Sequence, residues 1–299
     1  MFKYTAFSIS RSGVADENLF KIANEIVNNR SNVAVIEFSI QGPKLKLLKG
    51  KCRFVITGNV LFNIISKNKK IKGVPYRSYL LKKGDILDIL TTIKSNFGYL
   101  AVEGGFIVSK HYGSSSTLTK SEIGPNNGKK ISTEQIIEFK KNGSNTESSL
   151  EINSIFFNKS NNIIRVLRGP QMHYFMPKMI KSFFSKTFKI SNLSNRIGIR
   201  LEGYPIKSIK SHDIDSEGIT KGSIQIPGNG EPIILMADHP SIGGYPKIAT
   251  VIMADIAKLA QMQFGTNFIF KEVTLSEAEN IYIENNNSFK AILNKIDHN

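Results

Sequence analysis

Apolar and polar residues alternate along this chain as a series of short strands with few helices between them. The first clear helix starts at Asp16, whose carboxylate suits an N-cap. Leu19, Ile22, Ala23, Ile26 and Val27 follow at the i, i+3, i+4, i+7, i+8 spacing that makes one apolar face. Val33 to Phe38 is a nearly continuous β-rich run. Lys44 to Leu48 and Arg53 to Thr57 read as short strands joined through Gly50, with a turn at Gly58–Asn59. Asp85 to Leu90, entered through Gly84, and Phe97 to Val102, closing at Gly104–Gly105, complete an N-terminal half that is α+β and mostly sheet.

From Ser109 to about Asn161 glycine, serine and asparagine displace the large apolar clusters. This predicts a connecting stretch with short strands at Glu134 to Phe139 and Ile152 to Phe157. A second β-rich half opens with the strand of Ile163 to Pro170, which ends in a Gly–Pro turn. Pro177 suits the first turn of a short helix carrying Ile180, Phe183 and Phe184. Strands fit Thr187 to Ile190, Ile197 to Leu201, Ser223 to Ile226, Pro232 to Met236, Lys247 to Ile252 and Asn267 to Glu272. A helix fits about Ala254 to Ala260, and Ser276 with Glu279 makes a capping box for a short last helix. These strands, with few helices between them, point to a closed or half-closed barrel. The expected fold class is mainly β with α+β elements, in two β-rich domains. Residues 1–115 form the first, 116–161 the connection and 162–299 the barrel.

Composition narrows the partners. At 299 residues with 40% apolar content, the chain can bury one large core or two ordinary ones. No apolar run approaches the roughly 18 residues of a membrane span, and the first ten residues lack the basic and apolar regions of a signal peptide. A cytoplasmic protein without a membrane partner is expected. The formal charge of +16 is mostly lysine spread singly or in pairs, in a chain also rich in asparagine and isoleucine. With no RNP-like aromatic run, zinc-finger spacing or basic helix beside it, this charge reads as solvated faces rather than a nucleic-acid footprint. Cys52, in an alternating run, reads as a small buried strand residue. The histidines, His111, His173, His212, His239 and His298, lack the i, i+4 pairing of a helix-borne metal site, and no metal is expected.

Candidate chemistry gathers between Ser194 and Pro246. Arg196, Arg200 and Glu202 alternate along one predicted strand, so they would share a face, with a barrel interior or mouth as the natural place for them. The plainer alternative is an Arg–Glu pair tying strands together. Gln225, in an otherwise apolar strand, offers a donor and an acceptor to an amide or ureido group. Asp238 stands at a strand end, and Gly243–Gly244 would let backbone amides approach an oxyanion or phosphate. His173 and His239, beside Gly or Pro turns, are positioned for acid–base work as neutral imidazoles. The run GPNNGKK, Gly124 to Lys130, has three residues between its glycines rather than four, and Lys130 where a phosphate loop needs Ser or Thr. It reads as a surface turn.

These blocks resemble a known family: the C subunit of 5-oxoprolinase, also described as biotin-dependent carboxyltransferase, allophanate-hydrolase subunit 2 or KipA-like proteins. SNRIGIRLEG, Ser194 to Gly203, is similar to the family's Ser-Asn-Arg-Met-Gly-Tyr-Arg-Leu-Glu-Gly. SEG at Ser216 to Gly218, GSIQIP with Gln225, the Asp238 turn, GGYP, and LAQMQFG from Leu259 to Gly265 match in order and spacing. SGVAD at Ser12 to Asp16, ITG at Ile56 to Gly58 and YLAVEGG at Tyr99 to Gly105 correspond more loosely. The resemblance implies a cyclophilin-like β-barrel in a hetero-oligomer. Its partners would be a homologous, KipI-like B subunit together with an amidohydrolase-like A subunit. That assembly opens 5-oxoproline to glutamate with ATP. It also implies catalytic roles for Arg196, Arg200, Glu202 and Asp238, and ligand-binding roles for Asn195, Gln225, Gly243, Gly244, Tyr245, His173 and His239. ATP would be bound with or by a partner subunit. Biotin enters only under an alternative, in which a carboxyl group passes to urea or a related amide.

Three departures from the family pattern bear on activity. The family's first strand and its Gln-Asp turn have no counterpart ahead of Ser12, Ser115 stands where Arg is general, and His173 where Asp is usual. They support a further alternative, a non-catalytic regulatory or scaffolding subunit. The polar residues of the barrel are expected to look under-employed in the isolated chain, because half of any site would lie on a partner.

Overall fold

A computed structural model describes residues 2–67, 69–140, 151 and 161–294. The expected strand at 152–157 and His298 lie outside them. The chain divides into two compact units that are not contiguous in sequence. One comprises residues 16–109, 130–159 and 286–299; the other comprises 1–15, 110–129 and 160–285. The sequence pattern suggests a linear order of domains instead. Residues 12 and 13 join the barrel unit because Asp238 and Arg196 hydrogen-bond to them.

In the first unit, α1 (Glu17–Ile26) is capped as expected, with the Asp16 carboxylate accepting from the backbone N–H of Asn18 and Leu19. Its predicted apolar face is buried throughout. Eight strands follow: β1 (Ile36–Ser39), β2 (Lys44–Lys46), β3 (Lys51–Thr57), β4 (Val60–Ser66), β5 (Lys69–Lys72), β6 (Ser78–Lys82), β7 (Ile86–Thr92) and β8 (Phe97–Val102). They form two four-stranded sheets, ordered β1-β8-β3-β6 and β2-β7-β4-β5. Phe54, Ile56, Leu100 and Val102 of one sheet share a core with Phe62, Ile64, Leu87 and Ile89 of the other. The opposite face of β3 meets α1, whose Leu19 carbonyl accepts from Thr57 Oγ1 at 2.9 Å, so six of its seven residues are buried. Gly58 carries the chain from one sheet to the other at φ +102°, where a Cβ would lie 2.9 Å from the Phe97 carbonyl. Cys52 is buried as expected, and desolvation pushes its thiol up to about 12. The strand expected at Glu134 to Phe139 is reduced to one bridge, Phe106 with Phe139.

The second unit holds β9 (Ile163–Arg168), α2 (Pro177–Ser185), β10 (Phe188–Ile190), β11 (Gly198–Gly203), β12 (Glu217–Gly218), β13 (Ser223–Gln225), β14 (Ile233–Leu235), β15 (Ile242–Gly243), β16 (Lys247–Val251), α3 (Met253–Gln261), β17 (Asn267–Glu272) and the residues of α4 (Leu275–Leu293) up to 285. Seven of these strands close a barrel in the order β10-β11-β14-β13-β16-β9-β17. The β9–β17 pair is parallel and the β17–β10 pair completes the ring. Strands alternate faces, and Ile164, Val166, Phe188, Ile190, Phe268 and Phe270 are all buried. Phe183 of α2 stacks on Phe270 with ring centroids 4.5 Å apart. Asp255 of α3 is 1% exposed and takes a two-pronged contact from Arg165 of β9, at 3.0 and 2.6 Å.

The last helix departs from expectation. Its capping pair is Thr274 with Glu277, each side chain bonding the other's backbone N–H, and not Ser276 with Glu279. It runs 19 residues, with only Ala278 buried along it. No helix among the described residues is long and apolar enough to cross a membrane.

Because Phe183 is fully buried against three other aromatic rings, Phe183→Ala should cost about 3–5 kcal/mol. A urea titration followed by circular dichroism checks this, and Phe183→Leu should recover most of the loss.

Candidate functional site

Strand register decides which of the polar residues meet. Arg200 pairs with Ile233, Ile233 with Gln225, and Gln225 with Lys247. These four residues form one row across β11, β14, β13 and β16. Neighbouring strands lie about 4.8 Å apart, so Arg200 and Gln225 stand about 10 Å from each other. Their neighbours Ile199, Ile224 and Ile234 are buried in the barrel core, which turns the row outward. Arg200 and Glu202 are therefore on the outer face, not in an interior or mouth. Glu202 pairs with Lys189 at 2.7 Å across the β10–β11 ladder, so the strand tie is Lys–Glu and not Arg–Glu.

A barrel's outer face is wet unless something covers it, yet Gln225 and Lys247 are each only 5% exposed. The cover is the two-stranded ribbon of β12 and β15. A Cβ on Gly243 would lie 2.5 Å from Gln225 Nε2 and 3.0 Å from Ile219 Cδ1, so glycine lets the backbone sit against the amide without displacing these side chains. Gly244 approaches the Ile214 carbonyl, and its own carbonyl accepts from the Ile214 N–H at 2.8 Å. Neither glycine has a positive φ, so the expected amide nest is not formed. The Lys247 ammonium contacts the Glu217 carboxylate, which also accepts from Gln171 Nε2 at 2.6 Å, while Gln171 Oε1 accepts from the Lys247 backbone N–H at 3.2 Å. Lys247 in particular holds the Glu217 carboxyl below its ordinary value, and so keeps it ionised. Gln225 Nε2 is buried without a hydrogen-bond partner.

The loop from Asp238 to Gly243 leads from this ribbon to a second polar group. Arg196 lies ahead of β11 and grips Asp238 with two bonds, Nε to Oδ2 at 2.8 Å and Nη2 to Oδ1 at 3.1 Å. Ser12 Oγ donates to the same carboxylate at 2.8 Å, and the Gly13 carbonyl accepts from Arg196 at 2.5 Å. The expectation of under-employed residues fails for Arg196 and Asp238, whose polar atoms are engaged, and holds for Gln225. His239 is 8% exposed, and its Nδ1 donates to the Pro240 carbonyl at 2.6 Å. Burial keeps the imidazole pKa below its ordinary 6.5, so the ring is neutral at pH 7 with Nε2 as a proton acceptor. The Asn195 side chain accepts from the N–H groups of Ile197 and Gly198 and shapes the entry to β11. His173 is exposed beside Tyr174, and Tyr245 is exposed as well. Gln171 and Lys247 are not singled out in the sequence, and Glu217 appears there only inside the Ser216–Gly218 motif. The one signal for Lys247 is a lysine heading a mostly apolar strand.

The family model described as "Carboxyltransferase domain, subdomain A and B" matches residues 7–272. The chain belongs to this family. Among curated relatives, the 5-oxoprolinase C subunit of Haemophilus influenzae is 30% identical over 284 residues, covering 95% of this chain and 89% of the relative. The Escherichia coli protein of the same name is 32% identical over 272 residues, covering 90% and 85%. Among solved structures, the K. lactis urea amidolyase superposes with a TM-score of 0.86 at 25% identity. The match covers 97% of this chain but 18% of that much longer one. The relatives thus come from hydrolase and carboxylase systems that share this carboxyltransferase domain.

Removing one partner of the Arg196–Asp238 pair strands a largely buried charge. Arg196→Ala should cost roughly 2–4 kcal/mol and loosen residues 8–15, checked by urea denaturation and by limited proteolysis. His239 gives a pH signature. Because its folded pKa lies below its unfolded one, its contribution to stability is complete above about pH 6.5 and is lost as pH falls through the folded value. His239→Gln should flatten that part of the stability–pH curve.

Proposed function

We propose that this chain is the C subunit of an ATP-dependent 5-oxoprolinase, working with a homologous B subunit plus an amidohydrolase-like A subunit. The observation that carries this reading is the near full-length match to two proteins of that name, at 30% and 32% identity. The assembly would convert 5-oxoproline, ATP and water to glutamate, ADP and phosphate. A lactam is a poor electrophile, and phosphorylation of its oxygen makes that oxygen a leaving group, so cationic groups are needed where the charge develops. Arg200, exposed on the outer face and without an ion pair among the described residues, is the candidate for that task. Arg196 with Asp238 holds the neighbouring loop, His239 Nε2 supplies a neutral proton acceptor, and Gln225 meets the carbonyl. In this reading ATP is bound with or by a partner subunit.

The superposition on urea amidolyase favours a second reading, carboxyl transfer from carboxybiotin to urea or a similar amide. Co-expression with the two partner subunits separates the two. The first reading expects glutamate formation that needs ATP and falls about 100-fold or more in Arg200→Ala. It is abandoned if the complex forms no glutamate, and the second gains if a biotin carrier with urea turns over instead.

A further inference from the structure

The ribbon of β12 and β15 covers two features that a purely structural role leaves unexplained. The first is Gln225 Nε2, a buried donor without a partner in a residue 5% exposed. Buried polar groups in native proteins are nearly always paired, and an orphan is kept at a cost. The second is Lys247, a buried ammonium whose counter-ion is not in the barrel. Lysine is almost never fully buried unpaired. Here Glu217 supplies the charge from a strand of two residues, with its own side chain 43% exposed. Ser241, immediately before β15, carries another buried and unpartnered atom, Oγ. Gln225 and Lys247 are paired across β13 and β16, so their side chains leave the same face with Cβ atoms on the order of 5 Å apart.

We propose that the row beneath this ribbon binds a small ligand bearing a carboxylate and an amide-type carbonyl. Lys247 takes the carboxylate, Gln225 Nε2 takes the carbonyl oxygen, and in the free protein Glu217 stands in for the ligand's carboxylate. The unmet group is a donor, so it selects an acceptor oxygen. The cation with a displaceable carboxylate selects an anion, and the spacing asks for both on one small molecule. Binding exchanges one carboxylate for another on Lys247 and gives Gln225 its missing bond, while Glu217, already half in water, is rehydrated as the ribbon lifts. Gly243 permits this because any side chain there would fill the space against the amide. The proposal rests on the 5-oxoproline reading only for the choice of first probe.

The test is a calorimetric titration of the full chain with 5-oxoproline, with 2-pyrrolidinone, which lacks the carboxylate, and with proline, which lacks the carbonyl. N-acetylglycine serves as an acyclic probe with both groups. A probe with both groups should bind at least tenfold tighter than either truncated one. Lys247→Met and Gln225→Met should each weaken it tenfold or more, and Glu217→Gln should tighten it several-fold. Gln225→Met should also raise the thermal midpoint of the free protein, because it deletes an unpaired donor; this separates lost binding from lost folding. The inference is overturned if neither two-group probe binds, if both methionine variants bind as wild type does, or if Gln225→Met lowers the midpoint. In the co-expressed complex, turnover of 5-oxoproline with an unchanged KM in both variants would sink this site and leave the proposed function standing. Binding of N-acetylglycine that depends on Lys247 and Gln225, in a complex inert toward 5-oxoproline, would do the reverse.

Discussion

Pairing of Phe188 with Phe268 and of Lys189 with Asn267 joins the last strand of the barrel to the first. Closure removes every free strand edge and fixes two sides, an inside filled by Ile164, Val166, Ile224, Ile234, Phe268 and Phe270, and an outside. A packed apolar interior has no place for arginine or glutamate, so Arg200 and Glu202 face out. Any buried chemistry must then be made by adding a cover to the outer wall. The ribbon of Glu217–Gly218 and Ile242–Gly243 is that cover, and it roofs only part of the row from Arg200 to Lys247.

Two ion pairs hold the surroundings of this ribbon, and they differ in kind. Arg196 and Asp238 form a two-pronged contact with Ser12 and Gly13 as further partners, which uses the planar guanidinium fully. It anchors one end of the loop from residue 238 to 243. Lys247 and Glu217 form a point-charge contact between a rigid strand and a two-residue one. Glu217 is partly solvated, so breaking that contact returns one carboxylate to water rather than stranding it.

How far the sequence can be read follows from which patterns are local. The face of α1 and the strand at Asn267–Glu272 are legible because burial is periodic there, and Phe97–Val102 because it is a short, almost continuously buried run. Lys69–Lys72 carries no pattern at all, being exposed throughout on a sheet edge where lysine guards against further pairing. Thr-Leu-Ser-Glu and Ser-Glu-Ala-Glu overlap at residues 274–279, so two capping boxes compete and only packing of Ala278 on Val273 and Ile252 favours the first. Arg196 and Arg200 look equivalent in sequence, but the turn shaped by Asn195 starts the strand at Gly198, so Arg196 grips Asp238 while Arg200 stands exposed on the outer face. The row of Arg200, Gln225 and Lys247 rests on cross-strand register, which no local pattern encodes.

Under the proposed reading, that row also bears on how such a domain would tell one amide from another. Lactam, urea and ureido groups all present a carbonyl oxygen, so the Gln225 donor alone does not separate them. Lys247 does. A neutral amide offers nothing to displace Glu217 and leaves the ammonium with its internal partner, whereas an amide carrying its own carboxylate can exchange with it. Specificity would then come less from the group that meets the reacting carbonyl than from the charge of the residue beside it, in keeping with discrimination by differences between binding states rather than by contact strength.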